Sequence, residues 1–542
     1  MRRWAETCEA VAATSKKSEK VRLVADYLRS LAPDDAARAA VFLTGSPFPR
    51  REEKTLGVSG ASVGQALGKI TGATREAIYE VYRRHGDLGG MAEELLSGRA
   101  ASGLSLGEVA EAFEKLAAGR GDAKIDLLEE LLRRASPLEA KYLAKIVTGD
   151  LRIGLKENLV EETVARAFGR PRAEVQRANM LTGDIGETLR LAAADKLAEA
   201  RLRLFHPIGF MLATAAETAA EVAEILEGGA VVENKYDGIR AQAHKRGPEA
   251  SGEAKLFSRT LDTIIEFPEL LPAVAAIPGE FILDGEILAW RDGCPLPFTA
   301  LQKRLGRKQP DLWLREEVPV NYLVFDLIAV EGELLLDKPL TERRQRLEAL
   351  LGSSAPRGVE LAPAVLCHSA EEIERAFAAA RARGNEGIVA KSPGSLYTPG
   401  RRGQAWVKLK EPLATLDVVV TAVEFGHGKR RGLLSDYTFA VRDADRLLNI
   451  GKAYSGLTDA EIRTLTEYFL AHTVADEGWR RQVEPAVVLE VAFNNIQRSS
   501  RHASGYALRF PRIVRLRPDK PASEIDTLAR VRELYARQSE GM

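Results

Sequence analysis

The chain has 542 residues, 45% hydrophobic and 28% charged, which makes it too long for one core, and no run of about 18 apolar residues allows a membrane-spanning helix. Its 77 basic and 77 acidic side chains cancel, so a polyanionic partner would have to be met by local clusters of positive charge. Three scattered cysteines, Cys8, Cys294 and Cys367, exclude a disulfide framework and a four-cysteine zinc site, and they suit a reducing cytoplasm.

The amino terminus, Met1-Arg2-Arg3-Trp4-Ala5-Glu6, lacks the apolar core of a secretory signal, and the first two hundred residues read as helical. Ser105-x-x-Glu108 is a capping box ahead of Val109, Ala112, Phe113 and Leu116. Ile125, Leu127, Leu128, Leu131 and Leu132 recur at near-helical spacing. Ser136, Pro137 and Glu139 then supply an N-cap, a first-turn proline and a cap-box acid. Apolar faces at this spacing predict a helical bundle. The pattern breaks at Pro207 and Gly209, the first expected boundary.

Short strands follow at Ala230–Glu233, Lys255–Phe257, Phe281–Ala289, Asn321–Leu327, Gly387–Ala390 and Trp406–Leu409. With helices at Thr341–Leu351 and Ala370–Arg383 they predict a mixed α+β domain. A second boundary, and a hinge, are expected at Glu411-Pro412-Leu413. Beyond it, strands at Thr415–Glu424, Tyr437–Val441, Leu447–Ala453 and Val487–Phe493 and a helix capped by Thr458 and Glu461 predict a small barrel. No internal repeat or low-complexity tract interrupts this order.

The chemistry concentrates in a few segments. In Glu233-Asn234-Lys235-Tyr236-Asp237-Gly238-Ile239-Arg240 a lysine stands in a strand-like run, and alternation puts Lys235 and Asp237 on one face. A lysine held among apolar groups and cations loses its proton near neutral pH and becomes an amine nucleophile. In Phe281-Ile282-Leu283-Asp284-Gly285-Glu286-Ile287-Leu288 two carboxylates alternate inside an apolar strand. Their charge needs a compensating cation or donor, and Mg²⁺ or Mn²⁺ is the economical one, unless the strand is an edge with its polar face in water. Phe325, in Tyr322-Leu323-Val324-Phe325-Asp326-Leu327, is either core or a platform for a base.

Asn385-Glu386-Gly387-Ile388-Val389-Ala390-Lys391 offers a second acidic metal ligand in Glu386. From Lys391 to Lys410 there are five cations, Lys391, Arg401, Arg402, Lys408 and Lys410, and no acid. Lys408 and Lys410 alternate, so they share a side and repel unless solvated or facing an anion such as triphosphate. A cation cluster there would also depress the pKa of Lys235. Arg498 to Lys520 carries seven basic side chains and one acid, Asp519, and reads as a phosphate-binding or a solvated basic segment. The loop Gly426-His427-Gly428-Lys429-Arg430-Arg431-Gly432 fits a DNA backbone or solvent equally well.

In this order the segments resemble the ATP-dependent DNA ligases of the covalent nucleotidyltransferase superfamily, over about residues 207–520. Gly149-Asp150-Leu151-Arg152-Ile153-Gly154 is similar to a segment of the helical DNA-binding domain that precedes the catalytic core in many of these enzymes. His206-Pro207-Ile208-Gly209-Phe210-Met211-Leu212 departs from the family, in which many relatives carry a second proline before the methionine.

The resemblance implies an all-α DNA-binding domain at 1–205, an α+β nucleotidyltransferase (adenylation) domain at 206–412 and a β-barrel OB-fold domain at 413–542. It implies nick sealing in duplex DNA through a lysyl-AMP and a DNA-adenylate, with ATP as the substrate and Mg²⁺, or Mn²⁺ in its place, as the metal. Lys235 would carry AMP, Glu233 would lie against the adenine, and Phe325 would stack on it. Arg240 and Arg259 would contact the ribose side and the nick phosphates. Glu286, which also borders the nucleotide, and Glu386 would hold metal. Arg402, Lys408 and Lys410 would bind the nucleotide phosphates, and Arg517, Asp519 and Lys520 would orient the pyrophosphate.

The implied protein is a cytoplasmic monomer, nucleoid-associated when on DNA, with roles in replication, repair or recombination; a sliding clamp or repair partner is not readable from the residues. An RNA ligase or a GTP-using capping enzyme shares the lysine motif, but the long helical amino-terminal part and the late Arg-x-Asp-Lys favour DNA ligase. A non-catalytic DNA-binding protein of the same fold would have no need of Lys235, Glu286, Glu386 and Lys408 together.

Overall fold

A computed structural model describes residues 1–52, 54–100, 103–247, 252–307, 310–352, 355–411, 413–426, 430 and 432–540. Pro412 of the expected hinge, and His427, Gly428, Lys429 and Arg431 of the basic loop, lie outside the described residues.

Among the described residues, twelve α-helices from Arg2–Ala13 to Ile185–Ala193 share one hydrophobic core. The caps work as the sequence predicts. Ser105 N–H donates to Glu108 at 2.8 Å at the head of Leu106–Ala118, and Ser136 N–H donates to Glu139 at 2.8 Å at the head of Pro137–Val147. Edge-to-face rings lock the centre, with Trp4 6.3 Å from Phe42 and 6.0 Å from Tyr142. No helix among the described residues is long and apolar enough to cross a membrane.

The middle of the chain builds two sheets. The first, of five strands, runs in the order Leu212–Ala216, Arg402–Lys410, Gly387–Lys391, Ala230–Lys235 and Ala364–Cys367. Only its first pair is parallel. The second has seven strands, with Ile239–Arg246, Phe281–Arg291 and Val320–Val330 adjacent at its centre. Each sheet covers its own apolar cluster, and Ile208, Ile282, Ile328, Leu336, Tyr397 and Trp406 form a third beside them.

The helical part docks on this third cluster. Met180, Leu202 and Leu204 pack against it, while Arg177 pairs with Asp337 and Arg401 donates to Gln176 at 2.9 Å. The connecting segment is fixed at both ends. Arg203 binds Glu187 at 2.8 Å, and His206 packs so closely on Gly183 that a Cβ there would come within 2.3 Å of its ring. Gly183 also has φ +63°, so glycine is required twice over.

The last part is rich in strands. Its sheet runs Arg446–Ala453, Leu434–Asp443, Thr415–Phe425, Arg480–Val483 and Thr473–Asp476, with Val488–Ala492 branching from Thr415–Phe425 and Arg512–Leu516 pairing onto Val488–Ala492. The helix Asp459–Ala471 starts at the expected Thr458–Glu461 box. The sequence predicts a barrel, but the sheet curls without closing. Bulges at Val420/Ala422 and Glu424/Phe425 bend it, and among the described residues its outer strands Arg446–Ala453 and Thr473–Asp476 do not pair. A carboxy-terminal helix, Leu528–Glu540, that the sequence reading did not anticipate packs Leu528 and Val531 into this core.

Candidate active site

Lys235 is the last residue of its strand, and after three intervening residues the chain enters Ile239–Arg246 of the other sheet. Gly238 makes the crossing possible, because a Cβ there would lie 2.4 Å from the Ile287 carbonyl oxygen. Alternation predicts Lys235 and Asp237 on one strand face. The strand ends at Lys235, so Asp237 belongs to the crossing instead.

Between the sheets lies a cavity of about 520 Å³. Lys235, Glu233, Arg240 and Arg259 line it, and so do Glu286, Phe325, Arg402 and Lys408. Eight of the sequence-predicted residues thus share one hollow.

At its acidic end the Lys235 amine forms an ion pair with Glu386, whose backbone N–H donates to the Lys235 carbonyl oxygen at 3.0 Å. The sequence predicts an amine among cations; the structure seats it on a carboxylate. Burial pushes the Glu286 carboxyl up to about 8, against the pull of Arg240 and Lys235. Burial, with Glu386 as a second cause, also raises Asp237. Three acids therefore crowd one ammonium, the charge pattern that a divalent cation relieves. Among the described residues no three metal-ligating side chains converge.

The opposite end is aromatic and closed. Glu233, 4% exposed, meets Lys391 at 2.7 Å, and the Lys391 ammonium stands 4.4 Å above the Phe325 ring and 4.3 Å above that of Trp406. Glu233 Oε1 is buried without a hydrogen-bond partner, and burial raises its carboxyl above the ordinary range. An orphaned acceptor beside a half-buried ring is a fitting seat for a base that carries an amino group.

Asp284 corrects the expectation that the two alternating carboxylates share a metal. It is fully buried and its charge is met by protein: Arg240 donates from Nε at 3.1 Å and Nη2 at 2.7 Å, and the Tyr397 hydroxyl donates at 2.7 Å. The same two side chains grip the Met211 backbone. Arg240 Nη1 donates to its oxygen at 2.6 Å, and its N–H donates to Tyr397 Oη at 3.2 Å. Arg240, which the resemblance assigns to ribose and nick, thus spends its fork on Asp284 and the connecting segment.

The cations gather at one side. Burial lowers the pKa of Lys408, and Lys235, Lys410, Arg402 and Arg259 lower it further. Lys410 is two residues along the same strand, opposite Gly387, and outside the cavity wall. Arg517, Asp519 and Lys520 are not brought to the cavity. Arg517 binds Asp417 at 2.9 Å and Asp519 at 2.8 Å, and Lys520 binds Asp417 at 2.7 Å. From the last part of the chain it is Arg509 that approaches, 5.5 Å over the Phe298 ring and near enough to oppose, after Lys235, the rise in the Asp237 pKa.

The sequence pattern assigns no site role to Tyr397 or Trp406, sets Asp237 beside Lys235 without a role, and counts Lys391 with the cation cluster, whereas the structure places it on Glu233. Lys391 ends the segment Asn385–Lys391, Trp406 opens Trp406–Lys410 and Asp237 lies in the lysine motif, so local sequence carries a signal for all three. Tyr397 had none, since it lies in a loop joined to Asp284 only by the fold.

Three family profiles match the chain. "DNA ligase N terminus" matches residues 1–165, "ATP dependent DNA ligase domain" matches 210–410, and "ATP dependent DNA ligase C terminal region" matches 430–520. A "Probable DNA ligase" of Koribacter versatilis is 54% identical, covering 98% of this chain and 96% of its own. A "DNA ligase" of Methanothrix thermoacetophila is 37% identical over 99% and 98%. A solved structure described as Pmar-Lig_PreS3 covers 95% of this chain and 99% of its own with a TM-score of 0.60 at 16% identity, a likeness of fold alone.

Proposed function

The chain belongs to the ATP-dependent DNA ligases, whose general activity is the sealing of nicks, and from that premise we propose that Lys235 is the residue that captures AMP. The observation that carries this is the position of its amine, at the sheet crossing, among Asp237, Glu286 and Glu386 and within reach of the Lys408 cation cluster.

In the first step Lys235 leaves Glu386, loses its proton and attacks the α-phosphorus of ATP. A nitrogen–phosphorus bond forms, the bond to the bridging oxygen breaks, pyrophosphate leaves, and the amine's second proton passes to solvent. Glu233 accepts from the adenine amino group and Phe325 stacks on the ring. Lys408, Arg402 and Arg259, with Lys410 behind them, spread the charge of the phosphates. Glu286 and Glu386 would hold Mg²⁺, which when bound draws charge from the phosphate oxygens. AMP then passes to the 5′-phosphate of a nick, and the 3′-hydroxyl displaces it.

Arg240 enters this reading as the brace that fixes one cavity wall through Asp284. Arg517, Asp519 and Lys520 would meet the pyrophosphate only after the carboxy-terminal part moves, because Asp417 occupies them in the present arrangement. We assign residues 1–205 to a DNA-binding domain, 206–412 to the adenylation domain and 413–542 to an OB-fold domain. The substrate is nicked duplex DNA and the enzyme a cytoplasmic monomer. Lys235→Ala is the test: it should lose capture of labelled AMP and keep its affinity for a nicked duplex. A labelled adduct that persists in the variant would sink the assignment.

A further inference from the structure

At the closed end of the cavity two buried polar atoms of opposite charge face each other unpaired. Glu233 Oε1 and Arg344 Nη1 lie 3.7 Å apart, and neither has a hydrogen-bond partner. The separation is too long for a hydrogen bond and short enough for a strong charge interaction in a dry site. The rest of the Arg344 fork is fixed. Nη2 donates to the Ala362 carbonyl oxygen at 2.7 Å and Nε to Glu348 Oε1 at 2.9 Å. Arg344 comes from the helix Leu340–Leu351, no residue of which lines the cavity, whereas Glu233 and Ala362 both do. One guanidinium from outside therefore braces two wall residues.

We infer that Arg344 is a positioning residue for base selection, holding Glu233 as an acceptor-only carboxylate so that the site takes a purine with an amino group at C6 and turns away one with a carbonyl there. The inference rests on Glu233 meeting the base, as proposed above. Adenine offers Oε1 an N–H. Hypoxanthine or guanine offers a carbonyl oxygen, which leaves two acceptors opposed and unpaired in a buried site. Burial favours the protonated carboxyl, and Lys391 and Arg344 are the two cations that oppose it. Lys391 also serves the Phe325 and Trp406 rings. Without Arg344 it would hold the carboxylate alone, and a proton on Glu233 would turn an acceptor into a donor that a carbonyl can meet.

The full chain and its Arg344→Met and Arg344→Lys variants are incubated with Mg²⁺ and ATP, inosine triphosphate or purine riboside triphosphate, without DNA. KM and kcat for enzyme–nucleotide formation are read for each. The wild type should prefer ATP to both analogues. Arg344→Met should raise KM for ATP about tenfold, narrow the ATP-to-inosine ratio of kcat/KM by a similar factor, and leave kcat near the wild-type value. Arg344→Lys should restore part of that ratio. Equal losses for both triphosphates, with the ratio unchanged, would make Arg344 a packing element and overturn the inference. A wild type that takes all three triphosphates alike would overturn the reading of Glu233 itself. Should Arg344→Met not fold, Arg344→Gln carries the same ratio test.

Discussion

Asp284→Asn removes one charge and almost no volume from the most enclosed carboxylate of the site. Asp284 is fully buried and accepts two hydrogen bonds from Arg240 and one from Tyr397. Its amide replacement would leave the Arg240 guanidinium, only 18% exposed, without a counter-charge and would turn a donor toward the Tyr397 hydroxyl. Breaking one partner of a buried pair costs about 3–5 kcal/mol. Two charge-assisted bonds at about 1.5–3 kcal/mol each give about 3–6 kcal/mol, an overlapping range, by a separate route. A three-part chain does not unfold in one step, so the readout is native-state hydrogen exchange of the amides in Ile239–Arg246 and Phe281–Arg291. Their opening free energy should fall by about 3–5 kcal/mol. Removing both partners, in Arg240→Leu with Asp284→Leu, should cost less than Asp284→Asn alone. A loss below about 1 kcal/mol for Asp284→Asn, or a costlier double variant, would refute the reasoning.

Burial lowers the His206 pKa to about 4 and that of nearby His244 to about 3. The folded state thus refuses protons that the unfolded state accepts below its ordinary value of about 6.5, so stability is full above that pH and falls as pH drops toward 4. His206→Gln should remove at most about 3 kcal/mol of this acid loss, read from native-state hydrogen exchange of the Ile239–Arg246 amides across the window, and an unchanged loss would contradict the burial account. Removing residues 1–205 should weaken affinity for a nicked duplex and reduce the slope of log K against log salt. Equal affinity and slope would deny that part its DNA-binding role.

Much of the fold was legible because local rules agreed with the tertiary outcome. The Ser105, Ser136 and Thr458 boxes start helices where the spacing predicts them, and the core strands fall within a few residues of their apolar runs. Local pattern does not report how strand edges meet, so the spacing predicts a barrel where the sheet only curls. The helix Leu528–Glu540 mixes five basic or acidic side chains with six apolar ones, and its fit depends on Leu528 and Val531 finding a core made elsewhere. The site divides the same way. Lys235, Glu286, Phe325 and Lys408 announce themselves by polar or aromatic groups in apolar strands. Their partners do not: that Asp284 is neutralised by Arg240 and Tyr397, and Lys235 held by Glu386, depends on segments more than forty residues apart in sequence meeting across two sheets.

The account turns on a single covalent bond. The full chain, incubated with ATP and Mg²⁺ without DNA and then digested, should yield one peptide heavier by AMP, with the added group on Lys235. An unmodified Lys235, or AMP on any other residue, would contradict it.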